Sequence, residues 1–506
     1  MTIIQDSNVH EPQAIQVSPI DNVCVAIANI SNSHTINVNN IALSVPDDIP
    51  AGHKIALKDI ANGEHVYKYG FSIGHATKDI SKGQHIHSHN LSTSLDGSEK
   101  YHYKNEPTEQ PSKSNMPTFD GFVRENGTIG IRNELWIINT VGCVNQTAKK
   151  ITDICKRQYF GQIDDCIAIT HPYGCSQLGD DLSNTKKLLS SLMVNGNAGG
   201  ILVIGLGCEN NQLSTLIAET HGLDPTRVRY YNSQDVEDEI EVGLSYAQTL
   251  INIMLKDKRQ TLPISKLTLG MKCGGSDGFS GLTANPIVGR VTDMLTQYGG
   301  RVVLTETPEM FGAEQVLMDR ANNKQTFEQI VKLVDDFKQY FIDNKQPIYE
   351  NPSPGNKAGG LTTLEEKSLG AIQKGGSAII NEVIDYGLRA STSKGLTLLQ
   401  SPGNDAVSST ALAAAGANIV LFTTGRGTPL GFPVPTVKIS SNTPLAKRKK
   451  HWIDFNAGEI LEGTLTIDEC ADQLFELIIA IASGKKTNNE IHDNREVAIW
   501  KNGVTL

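Results

Sequence analysis

No two cysteines of this 506-residue chain stand in a CxxC pair, and the polar stretch Met1–Pro12 contains no apolar core. No apolar run approaches the ~20 residues that a membrane-spanning helix needs. The first absence counts against a zinc ribbon or a ferredoxin-like cluster. The others argue against a signal peptide and a helical anchor, so the expected location is the cytoplasm. Charge is scarce too: charged residues make up 20% and the net charge is −10. That balance argues against nucleic acid or an anionic membrane surface as a partner. Eight cysteines in a cytosolic chain do not suggest a disulfide framework.

The chain is long enough for two to four domains. Residues 1–95 read as a small β-rich domain. In Asp21–Asn29 the apolar Val23, Val25 and Ile27 alternate as a strand requires. A twenty-residue repeat follows, Ala56–Val66 echoed by Ala76–Ile86, each copy turning at a glycine (Gly63, Gly83) as in a compact β-clip. The second copy ends His85-Ile-His87-Ser-His89, and alternation would set three imidazoles on one strand face. This is either a metal site or an exposed strand face. Residues 96–118, polar and carrying Pro107, Pro111 and Pro117, read as a linker that lets the β-clip fold on its own.

From Phe119 onward, strand patterns alternate with helix patterns, which predicts parallel βαβ units. One such α/β unit occupies 119–262 and a second 263–506. Cys143, Cys175, Cys208 and Cys273 each stand just after a predicted strand, beside a glycine. Gly205-x-Gly207 resembles the start of a dinucleotide fingerprint, but Asn210 replaces the third glycine, so NAD is not expected.

The stretch Lys272-Cys-Gly-Gly-Ser276-Asp277-Gly-Phe-Ser280-Gly281 follows the run Leu267–Met271 and precedes a helix pattern near Asn285-Pro286. Strand, Gly-rich turn and helix form the corner at which open α/β sheets bind ligands. If the strand ends of the second unit converge, one crevice receives Cys273, Asp277, Glu306, Glu309, Glu314, Asn356, Lys357, Asp405 and Arg426. Carboxylates with hydroxyls and a few cations suit a divalent metal and a hydroxylated anion. Arg426 or Lys357 could hold a substrate carboxylate, Arg by a bidentate fork.

Seven separated motifs carry a resemblance. They are Gly121–Asn133, Gly205–Gln212, Cys273–Gly278, Ala284–Pro286, Glu306–Glu309, Asn351–Gly360 and Thr424–Gly427. All resemble the altronate/galactarate dehydratase family. Asn133–Trp136, Thr140–Asn145, Gly174–Asp181, His451–Asp454 and Gly503–Leu506 look like its altronate-specific branch.

The resemblance implies a SAF-like β-clip, a dimerising middle domain and a Rossmann-like C-terminal domain that holds the metal. It further implies an iron-stimulated hydro-lyase acting on a sugar acid in hexuronate breakdown, converting D-altronate to 2-dehydro-3-deoxy-D-gluconate. Fe2+, replaceable by Mn2+, is then expected rather than NAD or an iron–sulfur cluster, in a cytoplasmic homodimer. For that reaction Asp277, Glu309 and Asp405 are the candidate metal ligands. Arg426, Asn356, Ser276 and Lys357 are the candidates for substrate binding. Asp277, Cys273, His171 and Lys357 are the candidates for proton transfer. Three rival readings stay open: a galactarate dehydratase, a non-enzymatic sugar-acid binder, and an iron–sulfur dehydratase using Cys143, Cys175, Cys208 or Cys273.

Overall fold

The computed structural model describes residues 13–39, 41–97, 99–104, 115–391 and 394–506. Of the expected linker, residues 105–114 lie outside them. The architecture is the expected one, a small all-β unit followed by two parallel α/β sheets.

The N-terminal unit is built from short antiparallel strands. Ala14–Ile15, Val23–Ala26, Lys54–Ala56 and His85–Ile86 form one sheet, and His65–Lys68, Phe71–Ala76 and Leu91–Ser92 another. The repeat has a structural reason. Ile60 and Ile80 bridge each other, and the two copies exchange caps, the amide of Asn62 donating to Asp79 and that of Lys82 to Asp59, at 2.8 and 2.7 Å. A third copy of Asp-Ile-x-x-Gly, Asp48–Gly52, bridges Ile49 to Ile30 and leads into Lys54–Ala56.

Two consequences run against the sequence reading. His87 and His89 are not in the strand, which ends at Ile86 and passes into a turn. Nor does the β-clip stand apart from the second α/β unit. Its apolar residues Val23, Ile60, Ile73 and Leu91 share one core with Leu269, Met271 and Val302. Its Lys54 and Lys68 are 0% and 1% exposed and both pair with the buried Glu366 at 2.8 Å. The start of the linker is likewise held, because Glu99 and Tyr101 bind Lys338 at 2.7 and 2.8 Å.

The middle unit carries a parallel sheet in the order Asp165–Ile169, Glu134–Asn139, Ala198–Gly205, Val228–Asn232. Beside it, Thr118–Val123 pairs antiparallel with Gln260–Pro263, which brings the two ends of this unit together. The C-terminal unit is a seven-stranded parallel sheet in the order Ile380–Ile384, Gly395–Leu399, Arg301–Leu304, Thr268–Cys273, Ile419–Thr424, Thr436–Ser440, Phe455–Asn456. The chain lays strands on one side of Thr268–Cys273 first and on the other side afterwards. Strand order therefore reverses at Thr268–Cys273, and ligand crevices of open sheets form outside the carboxyl ends at such a point.

Candidate active site

Cys273 is the last residue of that central strand, and a cavity of about 750 Å³ opens directly in front of it. Cys273, Glu309, Asn356, Lys367 and Asp405 are among its polar lining, and Phe337, Tyr340 and Phe341 of the helix Lys324–Asp343 give it an apolar wall. Each polar group is delivered by the end of an element. Glu306 follows Arg301–Leu304 in a left-handed conformation, φ 72°, that a glutamate adopts only where its surroundings hold it. The 3₁₀ turn Thr307–Met310 carries Glu309, and the helix Leu364–Ala371 carries Lys367. The turn Ile372–Gly375 carries Lys374, and Asp405 opens the helix Asp405–Ala414.

These groups form an alternating lattice of charge. Lys272 Nζ lies 2.6 Å from Asp405 and 3.1 Å from Glu306. Lys374 Nζ donates to Cys273 Sγ at 2.8 Å and lies 3.4 Å from Glu306. Lys367 Nζ pairs with Glu309 at 2.8 Å and also donates to Asn351 and Asn356, at 2.9 and 3.3 Å. Cys273 closes the ring: its amide donates to Glu306 at 2.8 Å and its thiol to Glu309 at 3.1 Å.

Burial raises the Glu309 carboxyl, but Lys367 and Lys374 outweigh it and hold the group down at about 2. Burial raises Glu306 instead, with Lys272 opposing. Burial, then the Glu306 and Glu309 charges, push the Cys273 thiol far up, so it keeps its proton at neutral pH. Sγ of Cys273 and one oxygen each of Glu306 and Glu309 lie within 4.8 Å of one another. Among the described residues no other such group of three metal-ligating side chains occurs. One thiol with two carboxylates suits a borderline divalent ion such as Fe2+. Glu306 Oε1 is buried without a well-directed hydrogen bond, which leaves it a lone pair to offer.

The structure places the expected site residues unevenly. Glu309, Asp405, Asn356 and Cys273 line the cavity. Asp277 does not, and its carboxylate is fully engaged by Ser441, Ser280, Asn442 and the amide of Phe279, at 2.8–3.2 Å. Burial raises its pKa against these bonds. It braces the Gly-rich loop against Ser441 and Asn442 from outside the cavity. Ser276 is buried and its carbonyl accepts from Asn356 at 2.8 Å. Lys357 contributes a carbonyl, to His87, and Arg426 is exposed beside Gly275. Glu314 is spent on Lys338 at 2.9 Å. His171 belongs to the middle sheet, where Asn139 O and the amide of Tyr173 occupy both ring nitrogens at 2.8 and 3.2 Å. Burial lowers it to about 4, so it is a neutral, structural imidazole.

Lys272, Lys367, Lys374 and His53 were not candidates on sequence. Lys272 had a usable signal, a cation at the end of an apolar strand that is buried on both faces. His53 lies 3.0 Å from His85 and 3.4 Å from Ala358 O, so the β-clip histidines gather over the 357–360 loop. Burial, then neighbouring imidazoles, lower His53 and His85 to about 4. Gly52 (φ 85°) touches the same loop, and a Cβ on Gly278 would collide with the Gly52 carbonyl. Only paired glycines allow so close an approach.

Comparison with known proteins bears on this geometry along the whole chain. The family model described as "D-galactarate/Altronate dehydratase, C-terminal" matches residues 264–505. "D-galactarate dehydratase/Altronate hydrolase, second domain" matches 121–254, and "Altronate/galactarate dehydratase SAF domain" matches 12–94. The chain is 50% identical to "Altronate dehydratase" of Bacillus subtilis (strain 168), over 97% of this chain and 99% of that one. It is 49% identical to "Altronate dehydratase" of Escherichia coli (strain K12), over 98% and 100%. To "Galactarate dehydratase (L-threo-forming)" of the same organism it is 35% identical, over 93% of each chain. With three family models in register along its length and relatives matched end to end, this chain belongs to the altronate/galactarate dehydratase family.

Proposed function

We propose that this chain is a hydro-lyase that converts D-altronate to 2-dehydro-3-deoxy-D-gluconate and water at the Cys273 crevice, with Fe2+ held by Cys273, Glu306 and Glu309. The observation that carries the reading is the convergence of those three donors within 4.8 Å, two of them, Cys273 and Glu309, in the wall of a cavity that Lys367, Asn356 and Asp405 also line. The altronate-named relatives, at 49–50% identity against 35% for the galactarate-named one, favour altronate over galactarate.

Elimination must remove the weakly acidic proton at C2 and expel a poor leaving group at C3. An ion on this triad would neutralise the substrate carboxylate and so acidify C2. Three ammonium groups face three carboxylates here, Lys272, Lys367 and Lys374 against Glu306, Glu309 and Asp405. A divalent charge is therefore matched by the substrate carboxylate together with loss of the Cys273 proton. Asp405, whose side chain is 33% exposed, accepts the C2 proton and exchanges it with solvent. Lys367 donates to the departing hydroxyl, and Asn356 orients Lys367. Each proton transfer contributes roughly 10²–10⁴-fold.

The protein is read as a cytoplasmic homodimer. Apolar Leu178, Val504 and Leu506 stand exposed where the C-terminal tail bridges Gln177 to Thr505, a surface suited to a second copy. Light scattering at the mass of one chain would end that part. The test of the activity is anaerobic turnover of D-altronate and galactarate with Fe2+, read as keto product. Faster turnover of altronate is expected. No product from either acid overturns the reading, and full turnover after exhaustive chelation removes the metal from it.

A further inference from the structure

Three exposed cysteines remain that this chemistry does not use. Cys143, Cys175 and Cys208 are free and exposed, whereas the other five cysteines are buried. Each follows one of three neighbouring parallel strands, Glu134–Asn139, Asp165–Ile169 and Ala198–Gly205, the first lying between the other two. All three therefore emerge at the same edge of the sheet.

Their loops are tied together. The amide of Gly142 donates to Tyr173 O at 2.8 Å, that of Asn211 to Gly174 O at 2.9 Å, and that of Ser176 to Asn210 Oδ1 at 2.7 Å. Gly174 (φ 101°) lies so close to the strand end that a Cβ would collide with the Thr140 carbonyl. Cys143 and Cys175 thus flank one close crossing, and the Cys208 loop bonds to both sides of Cys175.

A second observation comes from beneath the cysteines. Asn139 Oδ1, Gln177 Nε2 and Asn211 Oδ1 are buried with no partner in the protein, and their residues are at most 2% exposed. They belong to the same three strand-end segments. Each amide is bonded through its other atom, to Asn145, Gly174 and Thr140 in turn, so one free atom on each of three at one junction marks a place that admits a group besides protein.

We propose that Cys143, Cys175 and Cys208 bind an iron–sulfur cluster, a second metal centre distinct from the Cys273 crevice. Their sulfurs do not converge as a single ion would require. Tetrahedral zinc, with Zn–S near 2.3 Å, needs sulfurs about 3.8 Å apart. Among the described residues only Cys273, Glu306 and Glu309 bring three donors within 4.8 Å. A cubane takes thiolates at separate corners and tolerates that wider spacing. Each thiol gives up its proton on ligation, and the iron without a thiolate is left to water or another oxygen ligand. The missing CxxC spacing excludes a ferredoxin-like arrangement only, since here topology rather than proximity in sequence collects the ligands.

The test is reconstitution of the full-length protein with equal amounts of ferrous and ferric iron and with sulfide under anaerobic conditions, followed by desalting. The expected result is about four irons and four sulfides per chain with visible charge-transfer absorbance. Cys143→Ser, Cys175→Ser and Cys208→Ser should each lose the sulfide and the absorbance, with circular dichroism unchanged. Cys143→Ala serves where a serine variant misfolds. Cys273→Ser should keep both signals. Wild-type protein free of sulfide overturns the proposal, and so does a cluster that survives all three single variants. Iron-dependent altronate turnover without a cluster overturns this proposal alone. A cluster without turnover overturns only the proposed function.

Discussion

Glu366→Gln tests how the β-clip is fastened to the catalytic sheet. Glu366 is fully buried and accepts from Lys54 Nζ and Lys68 Nζ at 2.8 Å each and from the amide of Thr362 at 2.9 Å. Glutamine keeps the shape and removes what is, among the described residues, the only carboxylate paired with either ammonium. Breaking a buried pair from one side costs about 3–5 kcal/mol, because a charge is left unpaired in a low dielectric. Lys54 tempers the loss. Its ammonium also reaches Gly360 O and Thr362 Oγ1 at 2.8 Å, and burial, against Glu366, has already lowered it to about 8. It can shed its proton near neutral pH once the carboxylate is gone.

The expected loss is therefore at the lower end, about 3 kcal/mol, which at 1.36 kcal/mol per decade is about a hundredfold. Hydrogen exchange at neutral pH reads it directly: the amides of Lys54–Ala56 and His65–Lys68 should exchange about a hundredfold faster than in wild type. Replacing all three partners together, Lys54→Met, Lys68→Met and Glu366→Leu, should return most of the protection, since no charge is left to compensate. Exchange within threefold of wild type for Glu366→Gln, or a triple variant no better than the single one, would refute the account.

Three further outcomes follow from the crevice. In Glu309, burial is outweighed by Lys367 and Lys374, so the folded pKa of about 2 lies below the ordinary 4.5. Its stabilisation is present above pH 4.5 and lost as pH falls towards 2, so Glu309→Gln should flatten that limb of urea midpoint against pH, and an unchanged limb would exclude the pairing. Asp277→Asn replaces an acceptor by a donor facing Ser441 and Asn442, costing about 1–3 kcal/mol in urea unfolding. Iron content of the folded variant should stay at the wild-type level, and its loss would make Asp277 a ligand after all. Arg426→Lys keeps the charge and loses the planar fork, so kcat/KM should fall at least tenfold with an unchanged melting temperature if the exposed guanidinium meets the substrate.

What the sequence made legible and what it hid divide along a physical line. Alternation of apolar runs with helix patterns exposed both parallel sheets, because fully buried strands read as continuous hydrophobic stretches and their corners as glycine. The corner after Met271 fell where strand order reverses, so Cys273, Glu309, Asp405 and Asn356 could be placed by rule. Asp277 was placed by the same rule, but it does not line the cavity. Its position in a Gly-rich turn is visible in one dimension, but two of the partners that hold its carboxylate, Ser441 and Asn442, lie far along the chain.

The lysines show the other side. Glu365-Glu366-Lys367 reads as a solvated helix turn, yet all three of its charges are buried, because something comes to meet each, Thr93 and Ser94 of the β-clip in the case of Glu365. Lys54 and Lys68 arrive at Glu366 from the β-clip, and Glu309 arrives at Lys367 from the neighbouring strand end. Hydrophobic patterning records which face of an element leaves water, and it is blind to a polar face whose partner belongs to another unit. The same blindness made the polar 96–118 segment look like a boundary between independent parts. A buried ion triad and a glycine contact tie those parts together instead. The β-clip then reaches the crevice through what it already touches, residues 357–360 under His53 and His87, Gly278 beside Gly52, and Glu366. A swinging lid would first have to break the Glu366 pairs, at about 3–5 kcal/mol for a pair opened from one side.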